Sequence, residues 1–118
     1  MKRLLALLVI ALVLSGCIFI TINDIWQIKV NSHSWEGQSE REGYAWYKVH
    51  ITVTSHRRGQ RIEDVVTTFF LRDGDRMYSC AHHSEVVGYY GKGQSRSGEL
   101  WFEVPEDMKP KELFFQQE

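Results

Sequence analysis

Beyond residue 23, apolar side chains recur at every second position. Trp26, Ile28 and Val30 alternate with Gln27, Lys29 and Asn31. Tyr47, Val49, Ile51 and Val53 alternate with Lys48, His50, Thr52 and Thr54. Leu100, Phe102 and Val104 alternate with Trp101 and Glu103, and Pro105 closes that run. A period of two is the mark of a strand with one buried and one wet face. Residues 62–71 carry Val65, Val66, Thr67, Thr68, Phe69 and Phe70, types that suit a pleated surface, and read as one strand. Asp73-Gly74-Asp75 is a turn, and Met77-Tyr78 begins the return strand. Residues 84–90 read as a further short strand, and Leu113-Phe114-Phe115 as the last. Residues 33–43, 55–60 and 91–95 are polar or glycine-containing and read as loops or turns. No later window keeps an apolar face at helical spacing. Short strands between frequent turns predict an all-β fold, an antiparallel β-sandwich whose two sheets bury their alternate faces.

The N-terminal pattern is different. Lys2-Arg3 precedes an unbroken apolar run, which ends in Ser15-Gly16-Cys17. Cations, an apolar stretch and a small-residue exit form the three-part plan of a secretory signal. The ending Leu14-Ser15-Gly16-Cys17 resembles the lipobox of prokaryotic lipoproteins. That resemblance implies cleavage before Cys17, a lipid-bearing Cys17 as the mature N-terminus, palmitate among its acyl chains, and membrane attachment without a protein span. The apolar character continues through Ile18-Phe19-Ile20-Thr21-Ile22. Residues 4–22 could therefore also cross a ~30 Å hydrocarbon layer as an uncleaved anchor. Either way the rest of the chain is expected outside the cytoplasm, facing the periplasm or the exterior. The expected organisation is a signal segment over 1–16 (or an anchor to about 22), a short tether over 17–24, in which Ile18 to Ile22 form a first β-strand or lie against the membrane surface, and a sandwich over 25–118.

Composition narrows the partners. The 118 residues are 43% hydrophobic and 25% charged, with a formal charge of −1. Removing Lys2 and Arg3 from the 14 basic residues leaves 12 against 15 acidic ones, formally −3. Neither balance suits phosphate backbones, so nucleic acid is not an expected partner. With Cys17 lipidated, Cys80 has no second cysteine to bridge, and about 100 residues must hold together on their core alone, which that length allows.

From Tyr47 to Phe115 the order of features resembles an Ig-like domain family of prokaryotic surface lipoproteins. The alternating Val49-His50-Ile51-Thr52-Val53 precedes a polar turn, Ser55-His56-Arg57-Arg58-Gly59. The segment from Phe69 to Tyr78 is similar to the family's Phe, Leu, Asp, Gly, Tyr pattern. Gly93 and Gly98 precede Leu100-Trp101-Phe102-Glu103-Val104-Pro105, followed by Lys111-Glu112-Leu113. The turn is basic where the family favours asparagine, and the Asp-Gly pair is displaced. The resemblance implies an Ig-like β-sandwich and carries no activity, since its motifs are structural.

Candidate chemistry is sparse. Cys80, His82 and His83 are metal-ligand types close in sequence, and they support an alternative reading as a metal-binding module. Asp73 and Asp75 flank Gly74 as turn residues do. No glycine-framed serine, P-loop or GxGxxG is present, so neither an enzyme nor a cofactor is expected. Arg57, Arg58 and Arg61 crowd one turn, where they could meet acidic groups. Trp46 and Trp101 are out of phase with the alternation beside them, and Tyr89 and Tyr90 lie in a segment expected to be wet. Tyr and Trp join an apolar body to a polar tip, as contact surfaces use them. The expectation is a membrane-anchored, non-enzymatic module that binds a protein through Trp46, Trp101, Tyr89 and Tyr90, tuned by the arginine turn.

Overall fold

The computed structural model describes residues 6–11, 19–81 and 84–117. Ten strands follow in order: β1 (Ala6–Ala11), β2 (Phe19–Ile22), β3 (Trp26–Gln38), β4 (Tyr44–Ser55), β5 (Gln60–Ile62), β6 (Phe69–Asp73), β7 (Arg76–Ser79), β8 (Gly88–Tyr90), β9 (Ser95–Pro105) and β10 (Glu112–Gln117). They form two four-stranded antiparallel sheets, ordered β1-β10-β6-β7 and β2-β3-β4-β9, and a small β5-β8 ribbon. Among the described residues there is no helix. The chain is an all-β sandwich, as its period of two requires.

The alternation is realised residue by residue. Along β4 the side chains from Ala45 to Ser55 are alternately buried and half-buried. Val49, Ile51 and Val53 face Leu100 and Phe102 of β9 and Ile28 and Val30 of β3 within one apolar cluster. The second sheet contributes Phe69, Leu71, Leu113 and Phe115, all fully buried. Trp26 joins the layers. Its ring meets Phe115 edge-on at 5.7 Å and Tyr90 at 5.1 Å, and its indole N–H donates to Gln117 Oε1 at 2.9 Å. Burying a large side chain of this kind stabilises by roughly 1.5–3 kcal/mol, so this contact between sheets is a main support of the fold.

Several boundaries differ from the sequence expectation. Residues 33–38 belong to β3 and not to a loop. A register shift between Val30 and Ser32 inserts Asn31 as a bulge, and a second follows Trp35. A bulge swaps the faces, so His33 and Trp35 pair with Val49 and Tyr47 on the core side, in a part of the hairpin where Ser34, Glu36 and Gln38 are exposed. The polar composition thus reflects an overhanging hairpin, not an absence of pairing. Residues 62–71 are not one strand either. Asp64 Oδ1 accepts from the Thr67 N–H and hydroxyl, and Val65 C=O accepts from Phe69 N–H, folding a turn between β5 and β6. Residues 19–22, within the expected tether, form β2 against β3, as the first-strand alternative for residues 18–22 expects. Residues 6–11, inside the expected leader, pair with β10 from Ala6↔Gln117 to Ala11↔Glu112.

Gly74 has φ +63° in the turn between β6 and β7, where a β-carbon would be strained. Gly98 is constrained by space: a β-carbon there would lie 2.5 Å from Oγ of Ser84, a residue only 1% exposed.

Candidate functional site

The strand register places the two out-of-phase tryptophans together. Lys48 pairs with Trp101, and Trp46 with Glu103, so Trp46 and Trp101 are diagonal neighbours across β4 and β9. Their rings meet edge to face at 6.2 Å and 79°. Both are half-buried and point away from the core, since the flanking Ala45, Tyr47, Leu100 and Phe102 fill it. The Lys48 ammonium stands 5.6 Å from the Trp101 ring, with Glu36 Oε2 at 3.6 Å and Glu99 Oε2 at 3.8 Å. The Trp101 indole N–H donates to Glu99 Oε1 at 3.3 Å, and Ser34 Oγ hydrogen-bonds Glu36. One lysine among Glu36, Glu99 and Glu103 leaves the patch acidic. It offers two aromatic edges and carboxylates that can receive cations.

The other half of this sheet face is different. Thr52 and Ser97 hydroxyls hydrogen-bond at 2.8 Å, Thr54 and Ser95 at 2.6 Å, and Asn31 Nδ2 donates to Thr52 Oγ1 at 3.0 Å. The hydroxyls satisfy one another, so the aromatic patch is confined to the end near Tyr44.

The arginines lie elsewhere. Arg57 and Arg58 are exposed in the turn after β4, held by Ser55 Oγ, which accepts from the Arg57 N–H. Trp46 and Arg57 are separated by nearly the whole of β4, on the order of 30 Å at a strand's rise per residue. The expected tuning of the tryptophans by this turn is therefore corrected: length alone keeps them apart. Arg61 leaves the turn altogether. It sits on β5, its guanidinium 4.9 Å from the Tyr89 ring, donating to the Tyr89 hydroxyl at 3.2 Å, with Glu63 at 3.8 Å. Tyr89 is exposed. Tyr90 is not a contact residue. It is fully buried against Trp26, and its hydroxyl donates to Val86 C=O at 2.5 Å. The alternation of β8 turns one tyrosine out and the next in.

Beside Arg61 a cleft of about 420 Å³ is lined by Glu63, Asp64, Thr67, Thr68, Gln116 and Gln117. Its walls are hydrogen-bonded internally, as by Thr68 C=O accepting from Gln116 N–H.

One further group, at His33 and Tyr47, is not announced by the sequence. His33 Nδ1 and the Tyr47 hydroxyl are hydrogen-bonded below Trp35, whose ring meets Tyr47 at 5.0 Å. Burial lowers the His33 pKa and raises that of Tyr47 to about 12. The bulge at Asn31 turns His33 inward, and nothing in the alternation announces it.

Cys80 is buried in the core, its N–H donating to Phe69 C=O at 3.1 Å. His82 and His83, the other residues of the metal alternative, lie outside the described residues, as does Cys17. Among the described residues no three metal-ligand side chains gather.

A family model, prokaryotic membrane lipoprotein lipid attachment site, matches residues 1–17. Its last matched residue is Cys17, so the signal marks a membrane-anchored lipoprotein carrying an all-β body. No curated protein and no solved structure matches the chain. The likeness of Tyr47 to Phe115 to Ig-like surface domains has no supporting family match.

Proposed function

We propose that the chain is processed before Cys17, lipidated on that residue, and held outside the cytoplasm as a non-enzymatic module that binds a protein partner. The observation that carries this reading is the pairing of Trp46 and Trp101 on the outer face of β4 and β9, with Lys48 between Glu36 and Glu99, and Glu103 opposite Trp46. Tryptophan edges on a solvent face are costly to hydrate and gain most when a partner covers them. The acidic rim favours a partner whose apolar spot is bordered by lysine or arginine, and it sets orientation and approach more than affinity. Tyr89 with Arg61, and the Arg57-Arg58 turn, belong to a second, separate surface.

The test places a photo-cross-linking amino acid at Trp101 in the full chain in its own host. A second copy carries it at Ser97, on the same face within the hydroxyl ladder. A discrete adduct from position 101, absent from 97 and lost on adding Trp46→Ala and Lys48→Glu, supports the reading. Equal labelling from both positions, or an adduct indifferent to those changes, ends it. Mass spectrometry of the N-terminus tests the anchor: an unmodified residue 1 rules it out.

A further inference from the structure

In the sheet β1-β10-β6-β7, β10 is kept from the edge by β1. Open strand edges are ordinarily blunted by lysine, proline, bulges or short length. The β7 edge is four residues long and carries Arg76. The β9 edge ends in Pro105, and the Ala81 N–H covers it by donating to Trp101 C=O at 2.8 Å. In contrast, β10 reads Glu-Leu-Phe-Phe-Gln-Gln, with no lysine, proline, glycine or bulge. It is covered by β1, six paired residues long. Those six residues precede Cys17, so processing removes the cover. This step rests on the lipoprotein reading above.

What the bared edge can accept follows from its hydrogen bonds. Gln116 N–H donates to Thr68 C=O on the β6 side. By alternation Phe114 also turns its backbone groups toward β6, and Leu113, Phe115 and Gln117 turn theirs toward the vacated side. We infer that after processing the β10 edge pairs antiparallel with β10 of a second copy, on a two-fold axis beside Phe114.

That register is the one the edge itself selects. It sets Phe114 opposite Phe114 of the second copy as a pair without backbone bonds. Leu113 then stands opposite Phe115 of the second copy and exchanges both backbone hydrogen bonds with it, twice by symmetry. Glu112 meets Gln116. Core-side residues stay on the core side and outer ones on the outer side, because the residue numbers of each pair add to an even total. Centring the axis on Phe115 instead would keep one apolar pair, Phe115 with its copy, but set Leu113 against Gln117 and Phe114 against Gln116. Leu113 and Phe115 are fully buried with β1 in place, so both need a replacement cover. The result is a continuous six-stranded sheet, β7-β6-β10-β10-β6-β7, with a self-matching interface as closed two-fold dimers have.

The experiment uses the full chain, expressed and processed in a bacterial envelope. Phe114 is half-buried on the outer face, where Phe114→Cys leaves the core intact. Directly opposed residues without backbone bonds lie about 4.5 Å apart at Cα, within disulfide range. The expected result is that Phe114→Cys shifts the processed chain to a reducible dimer band, whereas Gln116→Cys leaves it monomeric. Adding Phe114→Lys to an otherwise wild-type chain should halve its mass in mild detergent. A processed Phe114→Cys variant that stays unlinked, or a Gln116→Cys variant that links equally well, overturns the dimer and leaves the anchor reading standing. An N-terminus that retains residues 6–11 overturns both, since β1 then keeps the edge. N-terminal mass spectrometry on the same sample separates the two failures.

Discussion

Tyr89 and Tyr90, adjacent on β8, face opposite ways: the first is 65% exposed and the second 1%. Their substitutions should therefore diverge. Tyr90→Phe removes the hydroxyl that donates to Val86 C=O and leaves a buried acceptor, at an expected cost of about 1–3 kcal/mol. Tyr89→Ser should change stability by no more than about 0.5 kcal/mol. Urea unfolding of both variants checks this, and equal effects would contradict the burial pattern.

Trp26 spans the two sheets through Tyr90 and Phe115. Trp26→Ala opens a cavity there and also leaves Gln117 Oε1 without its indole donor. The expected loss is about 3–5 kcal/mol, a large share of the roughly 5–15 kcal/mol that holds an ordinary domain folded. Circular dichroism during thermal unfolding gives the answer. A stable variant would mean that the sheets are held by other contacts.

Trp46 and Trp101 should behave in the opposite manner. Their edge-to-face coupling is expected near 0.5–1.5 kcal/mol in a double-mutant cycle. The double alanine variant should stay folded. A collapse of the fold would show that the pair is structural.

His33 gives the domain a pH dependence with a definite sign. Burial lowers its pKa below 6.5, so between the two values the unfolded chain binds more protons than the folded one. Stability is level above that range and falls as pH drops through it. The Tyr47 hydroxyl works at the alkaline end. Its pKa is raised from 10.0 to about 12, so stability holds below 10.0 and is lost as pH climbs through that window. The urea midpoint of the wild type should fall as pH drops below about 6.5 more steeply than that of His33→Gln. Parallel slopes would exclude His33 as the source.

Gly98→Ala places a methyl group against the Ser84 hydroxyl, within 3.1 Å of the Glu85 backbone nitrogen. Overpacking of this kind is expected to cost about 1–3 kcal/mol. Adding Ser84→Gly should recover part of the loss, and an unrescued loss would place the strain elsewhere.

The layered architecture was legible because one rule, alternation, governs β4 and β9 from end to end, and the same rule showed Trp46 and Trp101 to be misplaced for a core. What escaped were the places where the rule is broken by geometry that sequence does not announce. The bulge at Asn31 put His33 beneath Trp35 and beside Tyr47. The side chain of Asp64 bent a valine-rich run that propensity alone would have kept straight. Tyr90 was misjudged because three residues of β8 are too few to fix a phase. Arg57 and Trp46 were joined in the sequence reading because it supplied no measure of the distance between them.

The start of β2 at Phe19 bears on how this body meets a bilayer. Two peptide steps separate Phe19 from Cys17, a leash of roughly 7 Å when fully drawn out. A fatty-acylated cysteine on so short a leash leaves the sandwich riding on the headgroups, unable to reach across the envelope. Any partner of the proposed binding face would have to be held at the lipid surface.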